Sequence, residues 1–207
     1  LEEITSYEFI KNNRDYFFNL KQSNLLLLSL VFIFLTIIWV LLAGFGSPVA
    51  LVAGFIFGKW LGTLVLIFGL SLGATMLYIF ANYFFKDFIR EKFLFKFKNL
   101  EFKFKKSEFI YLLFYRFVGG IPFVIANVLP CIFNVKISNF FWSTLLGIIP
   151  SVFLIVSIGS GLEKIIQQNL EPPRIVDLIY SPDIYIPIIA FLALIILTII
   201  ARKFFYK

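Results

Sequence analysis

The chain has 207 residues, 60% of them hydrophobic, and a net charge of +7 with no histidine and one cysteine. Soluble domains are about 45–50% apolar, so the composition points to a membrane protein. The basic excess is read through the positive-inside rule and anionic headgroups rather than nucleic acid, because no basic region lies outside the membrane-flanking segments. A single cysteine excludes an internal disulfide, and without histidine the common zinc and haem ligand sets cannot be assembled, so no metal or cofactor is expected.

Residues 1–24 are polar and of mixed charge and read as an N-terminal interfacial segment. No cleavable signal is expected, since the first apolar run is long enough to span. That run, Leu25 to Ala43, holds 19 residues without a charge, close to the ~20 needed for a spanning helix. Gly44 to Gly62 is apolar but interrupted by Gly44, Gly46 and Pro48 and ended by Lys59. It is too short to cross and fits a re-entrant hairpin, hairpin one, 44–62. Gly62 to Phe85 spans. Residues 86–108 interleave eight basic and four acidic side chains with phenylalanines and read as an interfacial amphipathic segment.

The stretch YRFVGGIPFVIANVLP, Tyr115 to Pro130, sets an arginine, paired glycines, two prolines and an asparagine in apolar surroundings. It belongs to a second interrupted segment, hairpin two, 109–135. Unwound backbone at membrane depth is tolerated only where protein or a wet cavity covers it. The reading preferred over a kinked structural helix is therefore a broken hairpin lining a polar path. Ser138 to Gly159 spans, with Gly147 and Pro150 inside it. Residues 160–183 form a polar loop, Ile184 to Ala201 spans, and 202–207 are a basic C-terminal tail.

Fifteen of the nineteen basic residues fall on one side if the N-terminus, residues 86–108, Lys136 and the C-terminus share it. Lys59, Lys164 and Arg174 fall on the other, and Arg116 stays in the membrane region. N-in, C-in topology follows. The expected fold is an all-α polytopic membrane protein, one transmembrane domain over 25–201 with about four transmembrane helices and two re-entrant helical hairpins. Pro48 and Pro122 are 74 residues apart, as are Gly73 and Gly147. The two interrupted segments thus read as an inverted repeat, the arrangement of secondary transporters.

Gly54, Gly58 and Gly62 form one small-xxx-small stripe, Gly69 and Gly73 another. With Gly147 they are read as packing glycines that let helix backbones approach. Gly69-Leu-Ser71-Leu-Gly73 matches a nucleophile-elbow pattern. The match is rejected, because no histidine can activate Ser71 and the site lies within a continuous span. Cys131 is read as packing. Arg116 has no Asp or Glu within the apolar spans, and Glu108 lies about 12 Å away along a helix. Arg116 either snorkels to headgroups or, as preferred, points into the polar path. There it would be held by backbone carbonyls around Pro122 and Asn127 and would engage a lipid phosphate. The candidate path comprises Arg116, Pro122, Asn127, Pro48 and Gly120.

The run Pro48-V-A-L-V-A-Gly54-F-I-Phe57-Gly58-K-W-L-Gly62, with Gly69, Gly73 and Tyr78, resembles the first half of a VTT domain. Arg116 through Pro122-Phe123 to Asn127, with Gly147, Pro150 and Gly159, resembles the second half. The resemblance covers 44–163 and is to the DedA superfamily, also called SNARE-associated Golgi proteins. It implies two re-entrant hairpins packed on transmembrane helices and movement of lipids between leaflets. The acidic residue of bacterial members' first hairpin has no counterpart, since 44–62 hold no Asp or Glu. The resulting expectation is a lipid translocase or scramblase whose partners are membrane lipids with phosphate headgroups, with homo-oligomerisation left open and no nucleic acid. A structural or adaptor protein supporting envelope integrity is the alternative. An enzyme is not expected. The heavy use of Lys, Asn, Ile and Phe favours a bacterial inner membrane.

Overall fold

The computed structural model describes residues 22–87, 107–118 and 122–168, with isolated positions elsewhere between 91 and 196. Most of segment 1–24, most of 86–108, most of the expected span Ile184 to Ala201 and the tail 202–207 lie outside the described residues. Every described element is helical. In chain order these are α1 (Leu25–Leu41), α2 (Gly46–Phe57), α3 (Lys59–Phe84), α4 (Glu108–Val118), α5 (Phe123–Val128), a 3₁₀ helix (Leu129–Phe133), α6 (Ile137–Gly147) and α7 (Ile149–Gln168).

Among the described residues α3, at 26 residues, is long and apolar enough to cross a membrane. The pair α6 and α7, bent by 43° at its break, is a second such element if taken as one span. The bend falls where Gly147 and Pro150 stand, inside the run read as one span. Helix α1, read as a span, has 17 residues, about 25 Å at 1.5 Å per residue.

Four prolines of the described helices stand at helix starts rather than inside helices. Pro48 is the third residue of α2, Pro122 is the N-cap of α5, Pro130 lies in the first turn of the 3₁₀ helix and Pro150 is the second residue of α7. In a first turn the missing N–H of proline has no intrahelical acceptor to lose. Three of the described stops are made by left-handed residues. Ala43, at φ 62°, ends α1, and Gly44 N–H reaches back to the Trp39 carbonyl at 2.9 Å. Trp39 Nε1–H then donates to the Phe45 carbonyl at 2.9 Å, fastening the turn into α2. Gly58, at φ 79°, separates α2 from α3, and Asn134, at φ 49°, ends the 3₁₀ helix.

Two compact units are distinguished. The first takes the described parts of Leu1–Phe32, Ser47–Val65 and Val152–Lys207. Gly54, Gly62 and Gly159 sit at close backbone approaches. A Cβ on Gly54 of α2 would collide with the Val156 carbonyl of α7, and one on Gly159 of α7 with the Leu51 carbonyl of α2. A Cβ on Gly62 would lie 2.6 Å from the Ala53 carbonyl. Gly58 differs from its neighbours in the stripe: a Cβ there would meet nothing within 4 Å. Its packing role is therefore corrected to a conformational one, since φ 79° is a region that L side chains rarely adopt. Phe32 packs edge-on against Phe57, and Trp60 against Phe153.

The second unit takes Ile33–Gly46 and Leu66–Ser151. Here Gly69 and Gly73 of α3 receive the two buried residues of α1, Thr36 and Val40, each 2.9 Å from where a Cβ would stand. Glycines and knobs are both spaced by four, so they share helix faces. The core gathers Ala74, Tyr78, Ala81, Leu112, Cys131, Val135 and Phe140. Tyr78 stacks on Phe140 at 4.4 Å, and its hydroxyl donates to the Val135 carbonyl at 2.7 Å. Cys131 is fully buried in this core, as packing requires. Helices α4 and α6 are tied at their N-termini: Glu108 accepts from the Lys136 backbone N–H at 3.3 Å and from Asn139 Nδ2 at 2.9 Å. A carboxylate suits the free N–H groups and positive end of a helix start.

Along α3, Trp60, Leu64, Phe68, Leu72, Met76, Phe80 and Phe84 are all exposed. A continuous exposed apolar seam on a long apolar helix is the surface lipid tails would cover.

Candidate functional site

The site lies in the second unit, where α4 presents two faces. Ile110 and Phe114 are exposed, and Leu112 and Arg116, again four apart, are buried. Glu108 in the first turn and Arg116 in the last complement the helix dipole at both ends. Arg116 is only 6% exposed, which rules out the snorkelling alternative within this fold. Glu108 is on the same helix but spends its carboxylate on the start of α6.

The partner of Arg116 is Asn127. It is fully buried on α5, and Arg116 Nη2–H donates to its Oδ1 at 2.7 Å. The expectation that backbone carbonyls hold the guanidinium is thus corrected: the acceptor is a side-chain amide, delivered by the short helix that Pro122 starts. Two rings complete the setting, with Arg116 Cζ 5.1 Å from the centre of Phe140 and 5.8 Å from that of Phe123. Such contacts contribute about 0.5–2 kcal/mol each, the higher values where the cation is desolvated. Gly147 makes the room, because a Cβ there would stand 2.6 Å from Arg116 Cβ.

The polar groups are incompletely matched. Arg116 Nε and Asn127 Nδ2 are buried without hydrogen-bond partners, as is Thr144 Oγ1. Thr144 falls between Phe140 and Gly147 on one face of α6, the face turned to Arg116. Arg116 is the only charged side chain among the described buried polar residues. The site is therefore cationic, rich in hydrogen-bond donors and walled by aromatic rings, and what it lacks is an acceptor with negative charge.

Of the sequence candidates, Arg116 and Asn127 are in contact, and Pro122 is exposed at the start of the helix carrying Asn127. Pro48 is exposed in the first turn of α2, in the other unit. Gly120 lies outside the described residues. Sequence reasoning misses the two rings as site residues. Phe140 is one of 29 phenylalanines with nothing to mark it, and Phe123 stands out only as the neighbour of Pro122. Gly147 is expected from sequence only as a packing glycine, without its link to Arg116. Ser71 sits in mid-α3, in line with rejecting the nucleophile-elbow match.

Residues 42–161, more than half of the chain, match the VTT domain family. The chain is 25% identical over 136 residues to the Transmembrane protein 41 homolog of Caenorhabditis elegans, covering 62% of this chain and 55% of that protein. It is 30% identical over 119 residues to the uncharacterized protein YqeD of Bacillus subtilis (strain 168), covering 55% of this chain and 57% of that one. The matches thus span little more than half the length of these relatives. No solved structure matches the chain. Every element of the site, from Arg116 through Phe140 to Gly147, lies inside the matched region, and the chain belongs to the VTT domain family of DedA-type membrane proteins.

Proposed function

We propose that this protein is a lipid translocase of the scramblase type, which moves phosphate-bearing lipids between leaflets without covalent chemistry. The observation that carries this reading is the buried Arg116, held by a neutral amide and left with an unpartnered N–H. A buried charge costs several kcal/mol unless it is paired, about 2.5–3.5 kcal/mol on membrane-insertion scales. A lipid phosphate supplies the missing negative acceptor, and a guanidinium can take it in a fork that a lysine cannot form. Family membership and the similarity to a transmembrane protein 41 homolog support the same direction.

In this reading α2 is the core of a first re-entrant hairpin and α5 with the 3₁₀ helix that of a second. Neither is long enough to cross about 30 Å of hydrocarbon. Both chain ends face the cytoplasm of a bacterial inner membrane. The partners are membrane lipids, and the substrate passes over Arg116.

The test is leaflet exchange of fluorescent phospholipids and a polyprenyl phosphate in proteoliposomes. Arg116→Ala should abolish exchange. Arg116→Lys should reduce it while membrane insertion and folding stay near normal. Full exchange by a well-folded Arg116→Ala protein would refute the reading. Wild-type exchange no faster than in empty vesicles for all these lipids would favour a structural or adaptor role instead.

A further inference from the structure

Asn127 invites a question that the phosphate reading leaves open: why a buried arginine is met by an amide rather than a carboxylate. An aspartate at this position would have the same shape and reach and would neutralise the charge. Asn127 instead accepts one hydrogen bond from Arg116 Nη2 at 2.7 Å and leaves the formal charge in place. Its own Nδ2 and Arg116 Nε stay unpartnered, both in side chains more than nine-tenths buried. The amide is oriented by its one bond, since reversing it would set Nδ2 against a guanidinium that has no acceptor. Two free donor groups and one uncompensated cation, walled by Phe123 and Phe140, are the chemistry an oxyanion takes.

We infer that Asn127 is a placeholder ligand: against Arg116 its Oδ1 takes the place of a lipid phosphate oxygen, and the phosphate displaces it. This rests on the phosphate-translocation reading above and adds to it a positioning residue that keeps the site charged yet occupied between substrates. Neutrality is the point of the device. A neutral acceptor satisfies part of the guanidinium and leaves quickly, whereas a carboxylate would hold it as an ion pair and compete with every arriving anion. Displaced, the amide presents Nδ2–H to the same phosphate.

The experiment uses the full chain in detergent, with thermal unfolding measured against added dihexanoylphosphatidylglycerol or inorganic phosphate, and leaflet exchange in proteoliposomes alongside. The wild-type melting temperature should rise with the short-chain lipid. Asn127→Asp should melt at or above the wild type, lose the lipid-induced rise and exchange lipid at least about tenfold more slowly, the scale of one charge-assisted hydrogen bond. Asn127→Ser, which removes the placeholder and its competition for the charge, should melt lower yet keep the lipid-induced rise at a lower lipid concentration. A folded Asn127→Asp protein that responds to lipid as the wild type does would overturn the inference. So would a folded Asn127→Ser protein that has lost the response, since that marks a merely structural amide. An equal rise with inorganic phosphate alone overturns the lipid assignment. If this binding pattern appears while wild-type vesicles show no exchange, the placeholder stands and the transport reading falls. If exchange depends on Arg116 but is unaffected in Asn127→Asp, the reverse holds.

Discussion

Replacing Gly54 and Gly58 separately, each by alanine, separates two physical roles hidden in one glycine stripe. At Gly54 a new Cβ meets the Val156 carbonyl, with the Ser160 backbone nitrogen also within 3 Å. Backbone cannot rotate away as a side-chain tip can, so α2 and α7 must separate. Overpacking typically costs about 1–3 kcal/mol, and a contact bounded by backbone on the far side falls at the upper end, about 3 kcal/mol. At Gly58 nothing lies within 4 Å, so there is no steric term. The left-handed backbone costs an L residue about 1–2 kcal/mol, offset by about 0.4–1 kcal/mol from a less flexible unfolded chain. The net loss for Gly58→Ala is about 1 kcal/mol. Asn tolerates this conformation better, so Gly58→Asn should cost less than Gly58→Ala, whereas Gly54→Asn should be worse than Gly54→Ala. Unfolding followed by helical circular dichroism in detergent reads all four. If Gly58→Ala is as damaging as Gly54→Ala, or Asn gives no relief at 58, the assignment of Gly58 to backbone conformation is wrong.

Ala43→Gly should raise the melting temperature, by about 0.5–1 kcal/mol of stability, because it relieves a left-handed alanine at φ 62°. Tyr78→Phe should lower stability by about 1 kcal/mol in the same assay, through the lost bond to the Val135 carbonyl, with the ring stack on Phe140 retained. Glu108→Ala should loosen the start of α6 by about 1 kcal/mol, and Glu108→Gln by less, as it keeps an acceptor for the Lys136 N–H; hydrogen exchange at residues 136–139 would show both. In a Cys131→Ser background, a cysteine at position 169 should react with impermeant reagents only from the extracytoplasmic side, and labelling from the cytoplasm alone would overturn the N-in, C-in topology.

Composition and spacing suffice to locate α3 and to mark Pro48 and Pro122 as breaks in the apolar pattern, because proline acts through local backbone geometry; that Pro48, Pro122 and Pro150 each begin a helix is seen only in the structure. They locate Arg116 and Asn127 as well, since both are out of place among apolar neighbours. They do not reveal that the two are partners, eleven residues apart and on different helices. That pairing depends on how α5 is placed against α4, which no spacing rule encodes. Gly58 misleads for a related reason: a glycine every fourth residue looks like a packing stripe whether or not a second helix is there to pack.

The exposed seam on α3 has a mechanical consequence. Each step of four residues overshoots a full turn by about 40° at 3.6 residues per turn. From Trp60 to Phe84 the six steps carry the seam about 240° around the helix axis, so it winds like a screw thread. A rod with its bare side along a straight line can roll in its socket. A threaded one cannot, for any roll that covers the bare side at one end uncovers packed side chains at the other. Helix α3 therefore resists rolling about its own axis.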